Sequence, residues 1–321
     1  MTVGAKTVDP AGPWVWIVTV TFAVINSRSV ELASMYKFDP RGEPVAGTFR
    51  AIAKDQLDEA LADLEAGKAE ARTQVHEGRR RCKKLRGLLR LVRPVFAGYD
   101  EENRALRAAS AMLSHLRDAE VVRHTLESLA KIEGNEDLTS MVSRLDQDGS
   151  SEHDPVLSQF RERLAEIRTR AADWDLKASG GEALLPGFKR TYRQARERFA
   201  AARERGGPQR LHEWRKANKY HGFHLDLLKR IAPDVLAGSL DTTDRLSTLL
   251  GEHHDLAVLL DMSGRNPDRF GTKVELERLG AAIAKRLEEI ESAAFELGRQ
   301  VCAETPRAIE RRFAAYWNSA S

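Results

Sequence analysis

Residues 72–93 read RTQVHEGRRRCKKLRGLLRLVR, and their charged and apolar positions recur with a helical rather than a strand period. On a helix turning by about 100° per residue with His76 as zero, Arg72, Arg79, Lys83, Arg86 and Arg90 fall between about −80° and −20°. Arg80 falls at about +40°, and Leu85, Leu88, Leu89 and Val92 lie between about 120° and 220°. The pattern predicts an amphipathic helix with a cationic stripe and an apolar back, stopped by Pro94. Arg81, at about 140°, sits near the apolar side, and the pattern gives no reason for it.

The same pattern returns further along. In LHEWRKANK (211–219), His212, Arg215 and Lys219 repeat the spacings of His76, Arg79 and Lys83. LSHLRDAEVV (113–122) parallels LGEHHDLAVL (250–259), so Asp118 and Asp255 follow their histidines by 42 and 43 residues. FRAIAKDQLDEAL (49–61) and FKRTYRQARERF (188–199) both read as helices that open with basic residues. Self-similarity over so long a period implies two copies of one helical unit. Residues 132–155, which include DQDGSSEHDP, are polar and mark the boundary, while RGGP at 205–208 puts Pro208 at the start of the second histidine helix. A long helix is expected from about residue 271 to about 299. β-branched alternation is scarce after about residue 30, so the fold expected is all-α. Its domain would run over 35–321, with repeats at 35–145 and 155–321.

Residues 1–34 do not fit this pattern. WVWIVTVTFAVI (14–25) carries no charge but is too short to span a membrane, which takes about 20 residues. It has only Lys6 before it and no small-x-small cleavage site close behind, so it does not read as a signal peptide. It reads as a strand or an extension, and MYKFDPRGEP makes Met35 a natural start for the domain.

Composition sharpens the picture. Of the 321 residues 42% are hydrophobic and 31% charged, a globular rather than a disordered profile. Cys82 and Cys302, 220 positions apart, form neither a metal cluster nor a disulfide framework, which suits a reducing cytoplasm. Net charge is only +3, yet residues 72–93 and 187–219 each carry +8, leaving −13 for the remainder. Like charges at i, i+3 and i+4 repel one another unless an anion neutralises them. Such concentration on particular helices suits a focused anion site.

VHEGRRRCKKLRGLLR and LHEWRKANKYHGFHLDLL, with LSHLRDAEVV and LGEHHDLAVL behind them, resemble the CHAD family, named for its histidines and α-helical fold. The resemblance covers roughly residues 35–321. It implies two related four-helix bundles about a pseudo-twofold axis, with basic helices lining a shared central surface. It also implies binding of inorganic polyphosphate and association with polyphosphate granules and their proteins. By position, His76, Arg79, Lys83, Arg86, His212, Arg215 and Lys219 would face the anion, with Arg80 and Arg90 on the same stripe. Lys216, Arg190 and Arg193 look like supporting cations, as do Arg50 and Lys54 on the first helix. The chain departs from the family pattern at His221-Gly222-Phe223, where Leu-Arg-Tyr is usual, and at Ser114, where the second copy has Gly251.

The expected action is capture without catalysis and without a cofactor. Arg can fork two phosphate oxygens and Lys supplies a point charge. A histidine beside phosphates favours its cationic form, so binding should strengthen as pH falls. Reversing Arg79 and Arg215 together should abolish binding and leave the fold intact. Nucleic acid is the main rival ligand, but residues 72–93 hold no aromatic to stack a base, and Trp214 falls on the apolar side. A phosphohydrolase is the enzyme alternative, resting on His254-Asp255 with His253 beside it. The repeat aligns Asp255 with Asp118 but His254 with Arg117, which makes the histidine incidental. His221 and His224 at i, i+3 lack a third metal ligand, and no Gly-rich phosphate loop or nucleophile arrangement is present. A scaffold for granule proteins is a third possibility, using the acidic remainder and the long helix near the C-terminus.

Overall fold

The computed structural model describes residues 36–65, 71–145 and 154–321. The apolar run at 14–25 and the expected start at Met35 lie outside the described residues, as does most of DQDGSSEHDP. Among the described residues every regular element is helical, so the protein is all-α. The helices are α1 (Val45–Asp63), α2 (Ala71–Val92), α3 (Tyr99–Met112), α4 (His115–Glu133), α5 (Glu136–Leu145) and α6 (Asp154–Ala171). They continue as α7 (Gly180–Arg205), α8 (Pro208–Leu227), α9 (Pro233–Arg265), α10 (Pro267–Phe270), α11 (Lys273–Val301) and α12 (Pro306–Ala320).

Local chemistry sets the boundaries. α2 ends two residues before Pro94. Gly206 and Gly207, with φ of 59° and 88°, turn the chain between α7 and α8, and Pro208 starts α8 where its missing N–H costs nothing. Thr272 and Glu275 form a reciprocal capping box at the start of α11, the long helix expected from the sequence. One element was not expected. α5 lies inside the polar stretch 132–155, and its Leu138 and Met141 are fully buried. Two apolar residues one turn apart anchor this short helix, although its surroundings are polar.

α1, α2, α3 and α6 pack as one group, with α6 against α1 and α3 although it follows the polar stretch in sequence. α7, α8, α9 and α11 pack as a second, with α12 on α7, and α4 with α5 lies against α9 and α11. α2 joins the two by packing on both α7 and α8. Its apolar back is buried as the pattern predicts: Leu85, Leu88, Leu89 and Val92 are all inaccessible. Arg81 now has its reason. Its Nε donates to Asp63 Oδ2 at 2.9 Å and its guanidinium also pairs with Glu59, so it ties α2 to α1 at the rim of the core.

Two glycines let the basic helices approach closely. A Cβ on Gly187 of α7 would stand 1.8 Å from the Leu91 carbonyl oxygen of α2. A Cβ on Gly87 of α2 would meet the Phe223 ring of α8 at 3.0 Å. Beside that crossing, His224 Nε2–H donates to the Gly87 carbonyl at 2.9 Å. Gly87 and Phe223 are equivalent positions of the two copies in the alignment that pairs Lys83 with Lys219.

Candidate anion-binding site

The crossing of α2, α7 and α8 leaves a half-open cavity of about 610 Å³. α2 lines it with Arg79, Lys83, Arg86 and Arg90; α8 with His212, Arg215, Lys216 and Lys219. Arg107 of α3 and Arg198 of α7 bring the described lining to nine Lys and Arg side chains, against two carboxylates, Glu213 and Asp255. Eight of the fourteen positions expected from the sequence therefore meet in one place.

The other six line no part of this cavity. Arg50 Nη1 donates to the Trp174 carbonyl at 3.0 Å, and Lys54 pairs with Asp58 on its own helix at 2.8 Å. Both belong to the outer side of α1. Arg80 donates to Glu77 Oε2 at 2.7 Å. His76 is solvent-exposed near the start of α2, 3.9 Å from Glu77. Arg190 and Arg193 are exposed on α7. The helical wheel explains the split on α2. The cavity takes the sector from about −80° to −20°, and Arg80 at about +40° faces away. An angular stripe cannot say which of its turns another helix will cross.

The two copies place their arginines alike. Arg79 Nη1 donates to Ser114 Oγ at 2.8 Å and to the Ser110 carbonyl at 3.2 Å. Arg215 lies over the equivalent position, Gly251, where a Cβ would be 3.9 Å from its Nε. The exchange of Ser114 for Gly251 thus swaps a hydrogen bond for space. It also shows that Arg79 supports the turn between α3 and α4, so reversing its charge disturbs the fold as well as the cavity.

The histidines divide sharply. His212 is half-buried and its ring lies 4.2 Å from that of His254, centroid to centroid, on the cavity wall. Burial, then Lys216 and Arg215, hold the His212 imidazole below its ordinary range, so it is uncharged at neutral pH. An anion seated here would oppose the two cations and favour its protonation. His253 turns the other way and donates to Glu291 of α11 at 2.9 Å. His221 and His224 are core residues, pushed to about 3 mainly by burial. His221 packs between Phe188 and Tyr192, with centroids at 5.6 and 5.1 Å. Neither is placed to share a metal, and among the described residues no three His, Cys, Asp or Glu side chains are grouped to hold one. Cys82 and Cys302 are free and buried.

Arg107, Arg198 and two aromatics, Tyr220 and Phe223, line the cavity without having been expected there, and His254, set aside above as incidental, stands on its wall. Arg107 lies outside the repeated segments, and Arg198 lies near the end of FKRTYRQARERF, beyond Arg190 and Arg193, which were the positions expected there. Tyr220 sits one residue after Lys219, at about 80° from His212 on α8, and carries no charge to mark it as part of the stripe. Trp214, by contrast, is fully buried as expected.

A family model described as the CHAD domain matches residues 51–263, more than half of the 321-residue chain. Comparison with curated proteins and with solved structures gives no match.

Proposed function

The chain belongs to the CHAD domain family, and from that membership and the cavity we propose that it binds inorganic polyphosphate without turning it over. One observation carries the proposal: among the described side chains, nine Lys and Arg residues from four helices converge on a single cavity beside two carboxylates. Glu213 is already paired with Lys216 on its own helix. Such a wall repels itself when empty and is relieved by a ligand with one charge per unit and no bases. A long chain gains further, because segments outside the cavity remain at high effective concentration near Arg190 and Arg193. Association with polyphosphate granules in the cytoplasm would follow from the same affinity. No described helix is long and apolar enough to cross a membrane.

The test is competition at about 150 mM salt, near physiological ionic strength. Labelled long-chain polyphosphate is challenged with single-stranded RNA, DNA and tripolyphosphate, and orthophosphate release is followed in the same tube with magnesium. Long polyphosphate should win by at least about tenfold, which corresponds to about 1.4 kcal/mol. Reversing Lys83 and Lys219 to Glu should abolish binding while the helical circular dichroism stays unchanged. Equal competition by RNA would point to a nucleic-acid surface. Phosphate release would point to His254 and Asp255, which share the cavity wall.

A further inference from the structure

Tyr220 stands on the cavity wall with two cations of the facing helix over its ring. The Arg90 guanidinium carbon lies 4.2 Å from the ring centroid and that of Arg86 lies 5.8 Å away. Tyr220 in turn meets Phe223 edge-on, with centroids 6.3 Å apart, and Phe223 is wedged against Gly87 of α2. Arg86 has a second hold, donating from Nε to Asn103 Oδ1 at 3.2 Å. The Nε of Arg90 is buried and meets no hydrogen-bond partner, and the guanidinium lies over the Tyr220 ring. Two guanidiniums one turn apart on α2 repel each other. A π-face that attracts both offsets that repulsion without neutralising either. The second copy has Gly222 where the first has Arg86, so α8 lacks a cation at this level and offers an aromatic shelf nearby for those of α2.

We infer that Tyr220 is a positioning residue: its ring holds Arg86 and Arg90 extended, with their donors presented to the phosphates of the bound chain. The inference rests on the polyphosphate reading above but concerns a residue outside the cationic motif. It also bears on selectivity. The face of Tyr220 is occupied by Arg90, so it does not present the bare stacking platform that single-stranded nucleic acids use.

The test measures long-chain polyphosphate binding to the full chain carrying Tyr220→Phe, Tyr220→Leu or Tyr220→Met, each with Arg90 intact and with Arg90→Gln. Phe keeps the π-face and should bind as the parent does. Leu and Met should weaken binding roughly tenfold. In the Arg90→Gln background that loss should shrink to the part carried by Arg86, about twofold to threefold. Met, unbranched and flexible enough to lie along the vacated ring site, serves where Leu fails to fold. Parent-like binding by both Leu and Met, or an equal loss in both backgrounds, overturns the inference. So does a loss on Tyr220→Phe, which would assign the effect to the hydroxyl. If the parent binds no polyphosphate, the functional reading falls, and the shelf is judged separately. The Arg90 Nε–Hε resonance should then move towards its exposed position in Tyr220→Leu but not in Tyr220→Phe, and an unmoved resonance rejects the shelf.

Discussion

His221 and His224 were visible in the sequence as a pair one turn apart, and only their surroundings say what they do. Burial holds both near a pKa of about 3, helped by Arg312 for His221 and opposed for His224 by its bond to Gly87. An unfolded histidine titrates near 6.5. A histidine with a depressed folded pKa contributes full stability above 6.5, and that stability is lost as pH falls towards the folded value. Between about pH 5.5 and 4.5 unfolding should take up about two protons, so stability should fall by about 2.7 kcal/mol per pH unit. Urea unfolding across this window measures the slope. His221→Phe should remove about one proton from it, because the rings of Phe188 and Tyr192 already form an aromatic slot there. A flat profile would mean that these rings are hydrated. At the same scale, Arg79, Lys83, Arg215 and Lys219 were legible as residues of one shared cavity because a repeated spacing marked them. Arg107, Arg198 and Tyr220 were not, because nothing in a single helix's periodicity records what crosses it.

Helices were more legible than their crossings. α2 with its stop before Pro94, α8 starting at Pro208 and the long α11 all follow from local chemistry. α5 was hidden in a polar stretch, and the packing of α6 against α1 and α3 depends on contacts distant in sequence. The crossings depend on glycines whose role no local pattern reveals. Gly187 is the sharpest case, since an added Cβ meets the backbone of Leu91 at 1.8 Å and that of Arg90 at 2.9 Å, with no flexible side chain to yield. Gly187→Ala should force α7 off α2, cost roughly 1–3 kcal/mol, and separate Arg198 from Arg86 and Arg90. Stability and polyphosphate affinity should therefore fall together. Gly280 of α11 is the control, because a Cβ there meets nothing within 4 Å. Gly280→Ala should stabilise by about 0.5–1 kcal/mol through helix propensity, with affinity unchanged. Thermal melts and binding on the two variants check both signs. An affinity loss in Gly280→Ala, or none in Gly187→Ala, would detach the crossing from the site.

Across the whole molecule, charge is sorted rather than accumulated. The chain totals +3, yet among the described side chains nine cations and two carboxylates meet in one cavity, a local excess of +7. Among the described residues, many basic side chains elsewhere are held in ion pairs of the folded surface, such as Arg170 with Glu102 at 2.7 Å and Arg286 with Glu252 at 2.6 Å. For a chain just long enough to fill the cavity, these nine cations should therefore dominate the salt dependence of binding. Each neutralised charge on a single-stranded polyanion contributes about −0.7 to the slope of log K against log salt. An excess of seven gives a slope of about −5 for a chain long enough to fill the cavity. Arg107→Gln with Arg198→Gln, both exposed at the rim, should bring it to about −3.5. Arg190→Gln with Arg193→Gln, outside the cavity, should leave it near −5 while lowering affinity only for the longest chains. Titrations with polyphosphate from about 0.1 to about 0.4 M salt, a range over which the Debye length falls from about 10 Å to about 5 Å, separate the two variants. Equal slopes for both would mean that the bound chain follows the outer face of α7 rather than the space between α2 and α8.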